Sequence, residues 1–191
     1  MSLSVITPPA ASVYSASDDV VRQHLRIGDD ETDNDTLINS ICASAEQAVE
    51  TYTRRRMITQ EVRYTLDGFP CRRITLPVDP IQSVSAVSYL DGSGSWVELA
   101  SDSYRLLEGN AICPAYGKTW PVPQNDFETV RIDMIVGYGD EKGDVPPQIL
   151  AAMRFLIAHM YLNDEAVVVG KSVSDLPLGV RDMLDPWRFW V

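Results

Sequence analysis

The apolar residues of this chain change period twice. Up to about Arg56 they recur at three- and four-residue intervals, from there to about Gly139 they alternate, and after Pro147 the helical spacing returns. A helical pattern does not settle as a strand, nor an alternating one as a helix, so the order helices, sheet, helices constrains any fold. Each helical segment has an apolar stripe to bury and too little chain to bury it alone. The segments before and after the sheet therefore pack on each other, and the expected class is α+β: a helical bundle built from N-terminal and C-terminal helices with an inserted, mainly antiparallel β-lobe.

The expected divisions are a flexible N-terminal arm over 1–16, the first half of the helical domain over 17–56, the β-lobe over 57–139, the second helical half over 140–186 and a tail over 187–191. Ser17 is a good N-cap for a short helix reaching about Ile27, with Asp18 and Asp19 at the positive end of its dipole. The stripe Leu37, Ile41, Ala45, Ala48, Val49 and Tyr52 predicts a long helix from Thr36 to about Arg56, its last turn holding Arg54, Arg55 and Arg56 against the negative end of the dipole.

In the middle segment, Val62, Tyr64 and Leu66, then Ile74 and Leu76, then Val84, Ala86 and Ser88 alternate as strand residues do. Asp91 to Gly94 is turn chemistry and predicts a hairpin between Val87–Leu90 and Trp96–Leu99. Tyr104–Leu107, Ala111–Cys113 and Val130–Val136 read as further strands, the last carrying the cleanest alternation. Pro146 and Pro147 suit the first turn of a helix whose broad apolar face runs from Ile149 to about Leu162. A less regular stretch with Gly170 and Lys171 leads to a short helix from about Pro177 to Leu184, stopped by Pro186.

Composition removes several function classes. The 27 acidic side chains outnumber the 16 basic ones, for a net charge of −11, which disfavours electrostatic capture of nucleic acid and suits a wall along which DNA slides. No run of the sequence reaches the length of a membrane span. Cys42, Cys71 and Cys113 lack a CxxC or Cys/His pattern and read as reduced, buried thiols, with a Cys71–Cys113 bridge as the alternative.

His24 and His159 lie on separate helices without metal-ligand spacing, and Asp164 and Glu165 do not share a helix face with His159. Gly137-Tyr138-Gly139 is a turn in an acidic segment, not a phosphate loop, and Gly92-Ser93-Gly94-Ser95 is not a nucleophile elbow. No catalytic, cofactor or metal residues are expected.

Trp187, Arg188, Phe189 and Trp190 gather three large aromatics at the end of the sequence. An aromatic side chain hides about 150–250 Å² when buried, so such a tail either folds back on its own domain or plugs a pocket on another protein.

Several segments in order resemble the phage head-tail connector (head-completion adaptor) family, in the longer form described in places as a DNA-packaging protein. Val20-Val21-Arg22-Gln23-His24-Leu25-Arg26-Ile27 is similar to its opening helix. Glu50-Thr51-Tyr52-Thr53-Arg54-Arg55 resembles its E-x-x-T-x-R junction, with Arg54 where glycine is common. Leu76-Pro77-Val78-Asp79-Pro80 resembles its L-P-x-x-P strand entry, and Trp120-Pro121, Val136 to Gly139 and Val145-Pro146 resemble later landmarks. Tyr161-Leu162-Asn163-Asp164-Glu165-Ala166-Val167 is similar to its Y-x-N-x-E-A-V, with Asp164 in place of the usual arginine. Leu176-Pro177-Leu178-Gly179-Val180 and Pro186-Trp187-Arg188 resemble its closing motifs.

The resemblance implies a structural subunit of a tailed phage or prophage, without catalytic turnover or cofactor, in the virion and, during assembly, in the host cytoplasm. Such adaptors form a homo-oligomeric ring, commonly twelvefold in the virion, between the portal protein and a downstream connector or tail protein, with DNA passing through and no membrane partner. Trp187, Arg188, Phe189 and Trp190 would then dock on the portal, and Arg54, Arg55 and Arg56 would pair with the acidic 29–35 region of the adjacent subunit. Alternatives are a tail-completion or terminator protein, or a metal-dependent enzyme of phage DNA metabolism.

Overall fold

A computed structural model describes residues 1–28, 31–70, 72–108, 110–163 and 176–190. The chain has an α+β fold and divides into two compact units. A helical unit takes residues 11–58 and 139–189, and a sheet unit takes residues 1–10 and 59–138 with Trp190.

In the helical unit, α1 (Asp19–Leu25), α2 (Asp35–Thr53), α3 (Pro147–Leu162) and α4 (Leu178–Leu184) follow in sequence, and α3 packs on the other three. The segments on either side of the sheet thus share one core, built from Ile38, Ile41, Ala45 and Val49 of α2 with Ile149, Met153, Leu156 and Ile157 of α3. Pro147 occupies the first helical position of α3, where its missing N–H costs nothing. Pro186 does not end α4 abruptly, because Asp185–Trp187 continue as a tighter single turn.

Helix boundaries differ from expectation at both N-terminal helices. Asp18 replaces Ser17 as the residue preceding α1, its carboxylate accepting the Ser15 N–H at 2.8 Å and hydroxyl at 3.1 Å. That helix stops at Leu25, where Arg26 turns left-handed. Arg22, on the same helix, is buried and gathers the loop that follows. Its guanidinium donates to the carbonyls of Ala16 (3.0 Å), Gly28 (2.6 Å) and Glu31 (2.7 Å) and pairs with Asp35 at 3.0 Å.

The sheet unit holds β1 (Ser2–Thr7), β2 (Gln60–Leu66), β3 (Ile74–Thr75), β4 (Ile81–Leu90), β5 (Trp96–Glu98), β6 (Tyr104–Leu107), β7 (Ala111–Pro114) and β8 (Val130–Val136). Five form one sheet in the order β1-β2-β8-β4-β5 and three a second in the order β3-β7-β6, with antiparallel neighbours throughout.

Strand β8 is central. Val130, Ile132, Met134 and Val136 are fully buried, while Arg131, Asp133 and Ile135 face outward. Arg63 of β2 stands opposite Asp133 and grips it with two hydrogen bonds of 2.7 Å. The Asp91 turn forms as the sequence suggests: its carboxylate accepts the N–H of Ser93 at 2.8 Å and of Ser95 at 3.0 Å, and Gly94 supplies a φ of 78°.

Two strand expectations are corrected. In β4 the buried residue is Val87, not Ala86 or Ser88, because register shifts between Ile81 and Ser83 and between Val84 and Ala86 change the phase of the alternation. Residues 2–7, assigned to a loose arm by sequence, pair with β2 along its open side. Of the cysteines, Cys42 is buried and Cys113 only half-buried, both as free thiols. Cys71, and with it the Cys71–Cys113 alternative, lies outside the described residues, as do Asp164, Glu165, Gly170 and Lys171.

Candidate functional site: the clasp at the end of the long helix

Helix α2 stops at Thr53 because Arg54 takes up the left-handed conformation, φ 57° and ψ 29°. This is the capping geometry that glycine adopts most cheaply. The three arginines consequently lie beyond the helix instead of in its last turn. Arg54 is exposed, whereas Arg55 and Arg56 turn back onto the subunit.

Glu50 and Thr53 hold this exit. The Glu50 carboxylate accepts the Met57 N–H at 2.9 Å and pairs with Arg56 at 2.5 Å. The buried Thr53 hydroxyl donates to the Val49 carbonyl at 2.7 Å and accepts the Arg55 N–H at 3.3 Å. Backbone groups freed by the end of the helix thus find side-chain partners, as buried polar groups must. Met57 and Ile58 then enter the core at 0% and 3% exposure, which fixes where the chain leaves the helix.

The aromatic segment returns to the same place. The Phe189 N–H donates to the Thr53 carbonyl at 2.9 Å, and Arg55 Nε donates to the Trp187 carbonyl at 2.6 Å. The Arg188 guanidinium lies over the Tyr52 ring, 4.7 Å from its centroid, and Trp187 Nε1 donates to Gln148 Oε1 of α3 at 3.2 Å. Tyr52 also donates to the Asp185 carboxylate and accepts from Arg181 at 3.1 Å. Trp187, Arg188 and Phe189 are half-buried by this clasp, while Trp190 remains 73% exposed.

The structure therefore brings two sequence-selected groups together, the arginine triplet and the aromatic tail. The acidic loop suggested as a neighbour's contact is engaged in part within the subunit, since Asp35 pairs with Arg22. Asp29 and Asp30 lie outside the described residues. Sequence reasoning passed over Glu50, Thr53 and Tyr52 as individual contributors. The signal for Glu50 and Thr53 was the E-x-x-T-x-R pattern, whose fixed positions are Glu50, Thr53 and Arg55, whereas Tyr52 falls at one of its variable positions and read only as part of the apolar stripe.

A second polar element lies one turn earlier on α2. Glu46 accepts the Val13 N–H at 3.1 Å, and burial, reinforced by the neighbouring Glu50 charge, pushes its carboxyl up to about 7. Burial likewise pushes the Cys42 thiol up to about 11, which leaves it unreactive as a nucleophile near neutral pH. His24 packs edge-on against Phe155, with ring centroids 5.8 Å apart, and His159 lies beside Asn163. Among the described residues, no three His, Cys, Asp or Glu side chains form a cluster that could hold a metal ion. No helix of the described residues is long and apolar enough to cross a membrane.

Residues 19–89 match the model of the phage gp6-like head-tail connector protein family. The matched segment runs from α1 through the clasp residues of α2 to β4, and it is the family that the sequence motifs resemble. No curated protein is significantly similar to the chain.

Among solved structures, the fold is shared with a chain from the neck of an empty gene transfer agent particle computed with C6 symmetry. The two are 24% identical, cover 100% of this chain and 97% of that one, and have a TM-score of 0.82. A chain from the virion of the native gene transfer agent particle is also 24% identical over the same shares, with a TM-score of 0.79. A third, from the neck of the native particle computed with C12 symmetry, is 23% identical over the same shares, with a TM-score of 0.76. At 23–24% identity these likenesses show a shared fold.

Proposed function

We propose that the chain is a non-catalytic head-tail connector subunit of a tailed phage or prophage, one copy in a ring beneath the portal that joins head to tail and lets DNA pass. The family match over residues 19–89 carries this reading. The likeness to chains from particle necks of sixfold and twelvefold symmetry agrees with it. A ring of twelve would carry about 130 negative charges. Placed along a channel, that charge repels phosphates, so a duplex moves through without being held.

In this reading the clasp is the portal-facing element. Trp187, Arg188, Phe189 and Trp190 supply the aromatic and arginine side chains favoured as interface anchors, and the exposed indole of Trp190 makes first contact. Of the basic triplet, Arg54 reaches an acidic neighbour, while Arg55 and Arg56 hold the exit of α2 from which it projects.

The test is the light-scattering mass of the purified protein, alone and with its cognate portal, for the full chain and for a chain lacking residues 187–191. A portal-bound ring that disappears on deletion supports the reading. A full-length chain that stays monomeric and indifferent to the portal overturns it and favours a tail-side component.

A further inference from the structure

We propose that the open edge of β1 is the surface by which one copy of this chain joins the next, adding to the β5 edge of its neighbour and continuing the five-stranded sheet from copy to copy. The inference rests on the ring proposed above and specifies how that ring closes.

Strand β1 lies at one end of the order β1-β2-β8-β4-β5, so one row of its backbone N–H and C=O groups has no strand beside it among the described residues. Soluble proteins normally protect such an edge with charged side chains, a proline within the strand or a covering element. The sequence Ser2-Leu3-Ser4-Val5-Ile6-Thr7 contains no charge and no proline, and five of its six residues are exposed. Its prolines, Pro8 and Pro9, come only after the strand, and its one irregularity falls between Val5 and Thr7 at its far end. Val5 is 49% exposed and Ile6 42%, on a strand whose Leu3 packs against the sheet core. Two β-branched side chains on an unguarded edge make a template for a further strand.

Charge points to the occupant. The chain has a net charge of −11, yet residues 1–10 contain no charged side chain. A basic partner would select an acidic face. A second acidic copy meets no repulsion on this neutral one.

A ring also needs a heterologous contact, in which each copy offers two different surfaces. The same sheet supplies the second at its other end. Among the described residues strand β5 pairs only with β4, and its Trp96 is 41% exposed with the Arg131 guanidinium 3.7 Å from the ring centroid. Addition of β1 to a neighbour's β5 leaves an unused β5 on one copy and an unused β1 on the other, so growth ends only when the ring closes.

The experiment compares three full-length proteins by light-scattering mass, each alone and with portal: the unmodified chain, the Val5→Glu/Ile6→Glu double variant and Trp96→Glu. Circular dichroism and thermal unfolding check that both variants are folded. The expected result is a ring for the unmodified chain, a monomer for each variant alone, and a heterodimer of about twice the monomer mass when the variants are mixed, since one retains β5 and the other β1.

Rings formed by the double variant as readily as by the unmodified chain overturn this inference and leave the connector reading standing. An unmodified chain that forms no ring, with or without portal, overturns both. Independently of any variant, amide exchange at residues 2–7 and 96–98 should slow at least tenfold in the ring relative to the subunit. Unchanged exchange at both edges rejects the proposed pairing.

Discussion

The centre of the sheet unit and the clasp of the helical unit are held by opposite means. In β8 the decisive side chains are apolar and fully buried: Val130, Ile132, Met134 and Val136 lose almost all contact with water, and the ion pair of Asp133 with Arg63 lies on the outer face. In the clasp the decisive side chains are polar, and their partners are mostly backbone groups: Glu50 holds the Met57 N–H, Thr53 the Arg55 N–H, and Arg55 the Trp187 carbonyl.

The first arrangement derives its stability from area removed from water, which is large and non-directional. The second gains about 0.5–1.5 kcal/mol per hydrogen bond, somewhat more with a charged partner, and depends on geometry. Contacts of the second kind can each be exchanged at modest cost.

Substitutions should separate the two kinds. Ile132→Ala empties a fully buried site in the central strand and should cost about 2–5 kcal/mol in chemical unfolding, with little effect on the helical unit's tail. A loss below about 1 kcal/mol would mean that the sheet core relaxes around the gap. Arg55→Ala removes a charged donor from the Trp187 carbonyl and should cost about 1.5–3 kcal/mol. Its sharper sign is faster proteolysis within residues 187–190 while far-UV circular dichroism is unchanged.

Glu46 gives the comparison a pH axis. Its carboxyl is raised in the folded state to about 7 from an ordinary 4.5, so folding binds a proton and the group destabilises the fold as it ionises. Its penalty is absent below about pH 4.5, grows as pH rises and is complete above about pH 7. Glu46→Gln should remove this slope and stabilise the protein at pH 8 by about 1–2 kcal/mol, a value discounted for partial solvent screening. Parallel stability curves for the two proteins between pH 5 and 8 would rule out this role. The smallest expected effect is at the helix exit, where Arg54→Gly relieves a left-handed residue and should add about 0.5–1 kcal/mol. Arg54→Val should move stability in the other direction.

The same contrast separates what was legible in the sequence from what was not. The alternation of Val130, Ile132, Met134 and Val136 states both a strand and its buried face, and Asp91 with Gly94 states a turn, because these signals are local. Strand β1 was missed because nothing within Ser2–Thr7 specifies a partner some sixty residues away; its pairing answers the open side of β2. The phase of β4 was misread because a register shift leaves no mark in composition.

At the candidate site, the aromatic tail and the arginine triplet stood out individually, but their meeting did not. Their link runs through carbonyls of Thr53 and Trp187, which every residue possesses and no pattern marks. Arg22 was equally hidden, since four acceptors spread from Ala16 to Asp35 converge on it only once the loop has folded.

The most direct test of the connector account is electron cryomicroscopy of portal-bearing heads incubated with the purified full-length protein. The account predicts a symmetric ring of added density on the outer face of the portal, with the aromatic segment at the contact. Heads that show no added density at saturating protein, while tail components bind it, would contradict the account.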